Sequence, residues 1–166
     1  MVRVAPGELT HGLLIEKLIL YAEDEEDDVF LMRRAFKDAG IAHRFETVSD
    51  GNQAVEYLSA TGAFSDRIKW PLPTLMLLDL KMPGLSGHEV LKWIRTHTET
   101  CTIPVIVLTS SHQESDIHRA YILGANGYLV KPGTPDELLT MVQGIKNYWL
   151  TQNRTPSTCV NLGAKP

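Results

Sequence analysis

An α/β fold, with a parallel sheet covered by helices on both faces, follows from the order in which elements recur along the chain. Short aliphatic runs alternate with stretches of helical periodicity, and the alternation repeats five times. Three runs, Leu18 to Ala22, Leu75 to Leu78 and Val105 to Leu108, are apolar at consecutive positions. Such runs mark strands buried on both faces, and parallel strands need crossover helices that supply the cover.

In order, the predicted strands are Leu18 to Ala22, Arg44 to Val48, Leu75 to Asp79, Val105 to Thr109 and Gly127 to Val130. Between them, Val29, Met32 and Phe36 lie on one helical stripe, as do Ala54, Val55 and Leu58, and again Val90, Leu91 and Ile94. Ile117, Ala120, Tyr121 and Gly124 repeat at i, i+3, i+4 and i+7, and Leu138, Val142, Ile145 and Trp149 outline a last helix. Gly40 and Gly124 read as helix stops, and Asp50 before Gly51 as an N-cap. The stretch Thr61 to Pro73 does not alternate and carries Gly62, Pro71 and Pro73, so it predicts a long connection before the third strand.

One domain accounts for the length. We assign 1–16 to an N-terminal extension, 17–150 to the domain, and 151–166, rich in Thr, Asn, Ser, Pro and Gly, to a flexible tail. Twenty acidic against 16 basic residues give a net charge of -4, which argues against general attraction to nucleic acid or an anionic membrane. Cys101 and Cys159 are far apart, with no disulfide framework or metal-ligand spacing, and suit a reducing compartment. The apolar run Leu13 to Ala22 is interrupted by Glu16 and Lys17 and is too short for a membrane span, so a cytoplasmic location is expected.

In an open parallel sheet, ligands bind beyond the carboxyl ends of the strands, where the strand order reverses. Glu23, Asp24, Asp79, Thr109 and Lys131 all stand where a strand pattern stops. Carboxylates crowded at that edge repel one another unless a cation intervenes, and a Mg²⁺ ion accepts one or two carboxylates, a backbone carbonyl and water. Glu26, Asp27 and Asp28 instead open a helix and are expected to cap and solvate it. No HExxH, CxxC, GxxxxGK[ST] or strand-linked GxGxxG occurs, which disfavours zinc hydrolases and nucleotide-binding folds.

Phosphoryl transfer to a carboxylate needs a nucleophile, in-line positioning and neutralisation of three equatorial oxygens. Asp79 supplies the nucleophile. A metal on Asp24 and Asp79, the Thr109 hydroxyl and the Lys131 ammonium can each meet one oxygen.

The segments Tyr21-Ala22-Glu23-Asp24, Leu77-Leu78-Asp79-Leu80-Lys81-Met82-Pro83-Gly84, Leu108-Thr109-Ser110-Ser111 and Tyr128-Leu129-Val130-Lys131-Pro132 resemble the response-regulator receiver domain across about residues 17 to 150. The resemblance implies a CheY-like, doubly wound five-stranded parallel sheet of order 2-1-3-4-5 that takes phosphate from a sensor histidine kinase. It further implies that Asp79 is phosphorylated, that Asp24 binds Mg²⁺ (or Mn²⁺) directly, that Glu23 acts through water, and that the Lys81 carbonyl completes the protein ligands. Thr109 and Lys131 would hold the phosphoryl group, Thr109 and Tyr128 would form the switch, and the Lys131-Pro132 bond could be cis.

Finer features, among them Trp70-Pro71-Leu72-Pro73 and the Tyr148-Trp149 ending, resemble single-domain regulators paired with bacterial phytochrome kinases, and these relatives imply a homodimer. The expected output is a protein interaction, with a downstream protein or a histidine phosphotransfer protein, and no enzymatic activity beyond self-catalysed phosphotransfer and slow dephosphorylation. Two other readings compete. A haloacid-dehalogenase-type phosphatase would need an acid two residues after its nucleophile, where this chain has Lys81. A phosphorylation-independent interaction module would be expected to lack part of the set Asp24, Asp79, Thr109 and Lys131, and all four are present.

Overall fold

The computed structural model describes residues 17–156. The expected extension at 1–16 and the last ten residues of the expected tail lie outside the described residues. Five strands, β1 (Leu18–Ala22), β2 (Arg44–Val48), β3 (Leu75–Leu78), β4 (Val105–Thr109) and β5 (Gly127–Val130), form one sheet. Its order is β2-β1-β3-β4-β5, and every pairing is parallel. The helices are α1 (Glu26–Asp38), α2 (Gly51–Ser59), α3 (Gly87–Thr96), α4 (Glu114–Ile122) and α5 (Pro135–Ile145).

Period-two alternation divides the core between the sheet's two faces. From β1, β3 and β4, Leu18, Leu20, Ala22, Met76, Leu78, Val105 and Val107 point to one face, where α2, α3 and α4 cover them with Ala54, Tyr57, Leu58, Val90, Leu91, Ile94 and Ala120. Ile19, Tyr21, Leu75, Leu77, Ile106 and Leu108 point to the other, against Met32, Ala35 and Phe36 of α1 and Val142 and Ile145 of α5. Each such aliphatic side chain contributes roughly 1.5–3 kcal/mol by leaving water. The consecutive apolar runs therefore arise because both faces are roofed. The edge strands β2 and β5 are only partly buried and correspondingly more polar or glycine-containing.

Local sequence sets the helix ends. The Asp50 carboxylate accepts the Gln53 N–H at 2.8 Å, as its position before α2 predicted. Capping boxes start α3 (Ser86 with Glu89) and α5 (Thr134 with Glu137, and Pro135 in the first turn). Gly40 and Gly124 take positive φ just past α1 and α4. The α4 stripe is thinner than its periodicity suggested: Ala120 is its only buried residue and Tyr121 is 52% exposed. The last helix runs two residues past Leu150, continuing in π-helical form from Lys146 to Gln152, with Trp149 packed on the α1/α5 core. Lys146 Nζ donates to the Ala39 carbonyl at 2.7 Å, closing the C-terminal end of α1.

The Thr61 to Pro73 connection is ordered by side chains that its sequence did not reveal as a unit. A short 3₁₀ turn at Gly62–Phe64 brings Phe64 within 5.1 Å of the Tyr57 ring and 5.3 Å of the Trp70 ring, centre to centre. The Arg67 guanidinium donates to the carbonyls of Tyr57 at 2.7 Å, Leu58 at 2.5 Å and Trp70 at 3.2 Å. The two charge-assisted bonds to Tyr57 and Leu58 tie the loop to the end of α2, and the third closes the loop on Trp70. Arg67→Ala is expected to lower unfolding free energy by roughly 2–3 kcal/mol, read from urea denaturation, because the freed carbonyls lose a charged donor. An unchanged midpoint would show that water replaces the guanidinium at no cost.

Candidate functional site

Parallel, in-register strands place their carboxyl ends side by side. Ala22 pairs with Leu78, Leu78 with Val107, and Thr109 with Val130. The next residues therefore converge: Glu23 and Asp24 after β1, Asp79 after β3, and Lys131 after β5, beside Thr109 at the end of β4. Strand β3 stops one residue before the predicted Asp79. The Asp79 N–H still donates to the Ala22 carbonyl at 3.1 Å, but its side chain turns back so that Oδ1 accepts the Leu80 N–H at 2.7 Å. The turn lets the chain leave the sheet at the acid.

Gly87, the first residue of α3, explains how closely that turn is supported. A Cβ there would lie 2.1 Å from the Asp79 carbonyl oxygen and 2.7 Å from the Leu80 Cα, so only glycine lets the helix start against the Asp79 backbone. Gly84, in the same loop, takes φ +72°.

Glu23, Asp24 and Asp79 each offer a carboxylate oxygen within 4.8 Å of the others. Oxygens bound at 2.0–2.1 Å around a six-coordinate cation lie about 3–4 Å apart, so these groups can close on a divalent cation with small side-chain adjustments. Glu23 and Asp79 are buried and Asp24 is half-buried. Lys81, whose backbone carbonyl is the expected further ligand, lies two residues beyond Asp79 with its side chain exposed.

Lys131 faces this cluster with more partners than expected. Its Nζ lies 2.5 Å from Glu23 Oε2, 2.7 Å from Asp28 Oδ2 and 3.6 Å from Asp79 Oδ2. Burial disfavours the ammonium, but Asp28, Glu23 and Asp79 together outweigh it and hold the Lys131 pKa above the usual lysine value. Glu23 is 2% exposed, and burial raises its pKa against the opposing bonds from Lys131 and Tyr21. Its Oε2 accepts from the Tyr21 hydroxyl at 2.8 Å and its Oε1 from the Glu25 N–H at 3.1 Å. Burial, followed by the charge of Glu23, raises the Tyr21 pKa, so its hydroxyl remains a donor.

Asp28 corrects the sequence reading. Its place beside Glu26 and Asp27 predicts a capping and solvating acid, yet its carboxylate reaches across to Lys131, 103 positions away. The first turn of α1 stands over the carboxyl edge of the sheet, and one turn of helix after Asp24 aims this acid inward. The sequence places Tyr21 in an apolar strand and gives its hydroxyl no role. The available signal was a hydroxyl two residues before Glu23, hence on the same strand face.

On the β4 side, Thr109 is fully buried and its backbone carbonyl accepts the Lys131 N–H at 2.8 Å. Ser111 binds Asp116 of α4 through its hydroxyl at 2.5 Å, and its carbonyl accepts the Tyr128 hydroxyl at 2.9 Å. Tyr128 is half-buried against the α2/α3/α4 core. Burial raises its pKa, against the hydrogen bond to Ser111. The Lys131-Pro132 bond, for which the resemblance allowed either isomer, is trans, as is every peptide among the described residues. Nor is any helix among the described residues long and apolar enough to cross a membrane.

A family model for the response regulator receiver domain matches residues 19–143. The chain belongs to the response-regulator receiver family. The receiver is 38% identical over 141 residues to response regulator Rcp1 of Synechocystis sp., covering 85% of this chain and 94% of that protein. It is 40% identical over 139 residues to the probable methanogenesis regulatory protein FilR2 of Methanothrix harundinacea, covering 84% of this chain and 87% of that protein.

The solved structures agree with the fold. The phosphorylated cyanobacterial phytochrome response regulator RcpA matches the receiver with a TM-score of 0.79 at 35% identity, covering 86% of this chain and 99% of that one. The Mn²⁺-bound form of Rcp1 matches with a TM-score of 0.77 at 38% identity, covering 85% and 99%. The receiver's strand order and helix placement are thus those of a CheY-like response regulator, and its acidic cluster can accept a divalent cation.

Proposed function

We propose that Asp79 is the phosphoacceptor of this receiver, that its donor is a phosphohistidine on a sensor kinase of the phytochrome type, and that Mg²⁺ is the working cation. The single observation that carries the acceptor assignment is the convergence of Glu23, Asp24 and Asp79 with Lys131 at the carboxyl edge of the sheet. The kinase assignment is supported by similarity to Rcp1 and to the phytochrome response regulator RcpA.

Asp24 and Asp79 would hold the cation directly, Glu23 through water, and the Lys81 carbonyl from the loop. When bound, the cation neutralises one phosphoryl oxygen. An Asp79 oxygen forms the new O–P bond as the donor's P–N bond breaks, and the electron pair leaves on the imidazole nitrogen. Lys131 meets a second phosphoryl oxygen, since an N–H not turned to Glu23 or Asp28 can face Asp79. Thr109 supplies the third contact by turning its hydroxyl toward the new charge, and Tyr128 follows through the loop that carries Ser111.

The output in this reading is a changed protein surface, recognised in the cytoplasm by a downstream protein or a histidine phosphotransfer protein. The receiver works as a homodimer and performs no other catalysis.

The test is incubation with acetyl phosphate and Mg²⁺, intact-mass measurement, and borohydride trapping, which converts an aspartyl phosphate to homoserine at the modified position. One phosphoryl group per chain at position 79, lost when EDTA replaces Mg²⁺, is the expected result. Modification elsewhere, or none across a range of donors and cations, would overturn the assignment.

A further inference from the structure

An ammonium group has three N–H donors in fixed tetrahedral directions, so two anchors determine where the third points. In this receiver the two anchors of Lys131 are Glu23, on β1, and Asp28, on the first turn of α1, at 2.5 and 2.7 Å. The third carboxylate, Asp79, is 3.6 Å away, beyond hydrogen-bonding distance. We infer that Asp28 is a positioning residue: it holds Lys131 so that its remaining N–H is aimed at the Asp79 oxygen that receives the phosphoryl group. The inference rests on Asp79 being the acceptor.

The two anchors differ in kind. The Glu23 side chain is wholly buried and is already fixed by Tyr21 and the Glu25 N–H. The Asp28 side chain is 37% exposed and is carried by a helix that packs on α5, the element that follows Lys131 in the chain. Asp28 therefore ties the β5–α5 connection to α1, fixing the lysine's azimuth as well as its depth. With Glu23 alone, the four-carbon stem could swing the ammonium about one contact. A group that must meet the transferring phosphoryl group would then be disordered in the ground state. Asp28 acts through Lys131 and not as a phosphate ligand.

The test uses the full chain with acetyl phosphate and Mg²⁺. Asp28→Ala is expected to lower the maximal phosphorylation rate roughly tenfold at saturating donor, with the donor concentration for half-maximal rate little changed. Asp28→Asn, which keeps an acceptor oxygen at the same place, should recover part of the loss. Asp27→Ala removes the same charge from the same turn of α1 but lies exposed, and should phosphorylate as wild type does. In a Lys131→Ala background the Asp28→Ala effect should vanish, because the residue through which it acts is gone.

A second readout is independent of phosphotransfer. The ¹⁵N resonance of the Lys131 ammonium should be sharp and slow to exchange in the wild type, and broadened in Asp28→Ala. Wild-type rates for Asp28→Ala, an equal loss in the Lys131→Ala background, or an unaltered ammonium resonance would each overturn the inference. A wild-type chain that takes no phosphate at all would overturn the acceptor assignment, and the inference with it. A chain phosphorylated at Asp79 whose Asp28→Ala variant is unimpaired would overturn the inference alone.

Discussion

Asp79→Asn is expected to abolish phosphoryl uptake from acetyl phosphate, lowering the rate by about three orders of magnitude or more, because a carboxamide oxygen does not replace a carboxylate nucleophile. The substitution is mild for the fold. The Asn Oδ1 can still accept the Leu80 N–H that now holds Asp79 at 2.7 Å, and the volume is unchanged. It also removes one of three carboxylates gathered within 4.8 Å of one another. In metal-free buffer the variant should therefore be more stable than wild type by on the order of 1 kcal/mol, since like charges at such separations still repel strongly in a partly buried site. Addition of Mg²⁺ should raise the melting temperature of wild type more than that of Asp79→Asn, because the wild-type site has more negative charge for the cation to relieve. Intact mass and thermal denaturation, with and without Mg²⁺, read out all three effects. A phosphorylated Asp79→Asn chain would place the acceptor elsewhere, and a destabilised one would mean that Lys131 already compensates the cluster fully.

Lys131→Ala should be the most destabilising change at the site. It leaves Glu23, Asp28 and Asp79 facing one another without their cation, and Glu23 is buried. Breaking a buried ion pair from one side costs about 3–5 kcal/mol, with the upper part expected where one cation serves several carboxylates. The pH dependence separates this electrostatic cost from lost packing. Glu23 already has a raised pKa in the folded protein, so its charged form costs stability above that pKa, and the cost is relieved as the pH falls through it. Without Lys131 the rise is larger, and the variant should regain stability on acidification from neutral pH by more than wild type does. At the other extreme, the Lys131 pKa is raised on folding. Its contribution is complete below the unfolded lysine value and is lost as the pH climbs through the folded one, so wild type should lose more stability in strong alkali than Lys131→Ala does. Urea denaturation at acid, neutral and alkaline pH reads out both limbs. Parallel stability profiles for the two proteins would show that the lysine acts by packing alone.

Both predictions depend on how the candidate site was assembled from residues far apart in sequence. Asp79, Thr109 and Lys131 were legible because each ends an apolar run, and a parallel sheet in register must gather such ends on one edge. Glu23 and Asp24 were legible for the same reason, and the motif around them carries the family resemblance. Asp28 was not. A helix that opens with three acids explains all three through its dipole, and nothing local distinguishes the one that turns inward. Its role depends on where the first turn of α1 sits relative to the residue after β5, a relation across 103 positions.

The same division runs through the rest of the chain. The five strands, the burial of β1, β3 and β4 on both faces, the Asp50 cap and the glycine stops after α1 and α4 were determined by the sequence alone, because hydrophobic period and cap chemistry act within a few residues. The ordering of the Thr61 to Pro73 connection by Arg67 and an aromatic triad, the glycine at position 87 and the three-acid setting of Lys131 were decided only by tertiary structure. Each is a contact between elements whose separation in the chain carries no information about their distance in space, and each depends on packing that fixes a charge or a backbone atom to within an ångström.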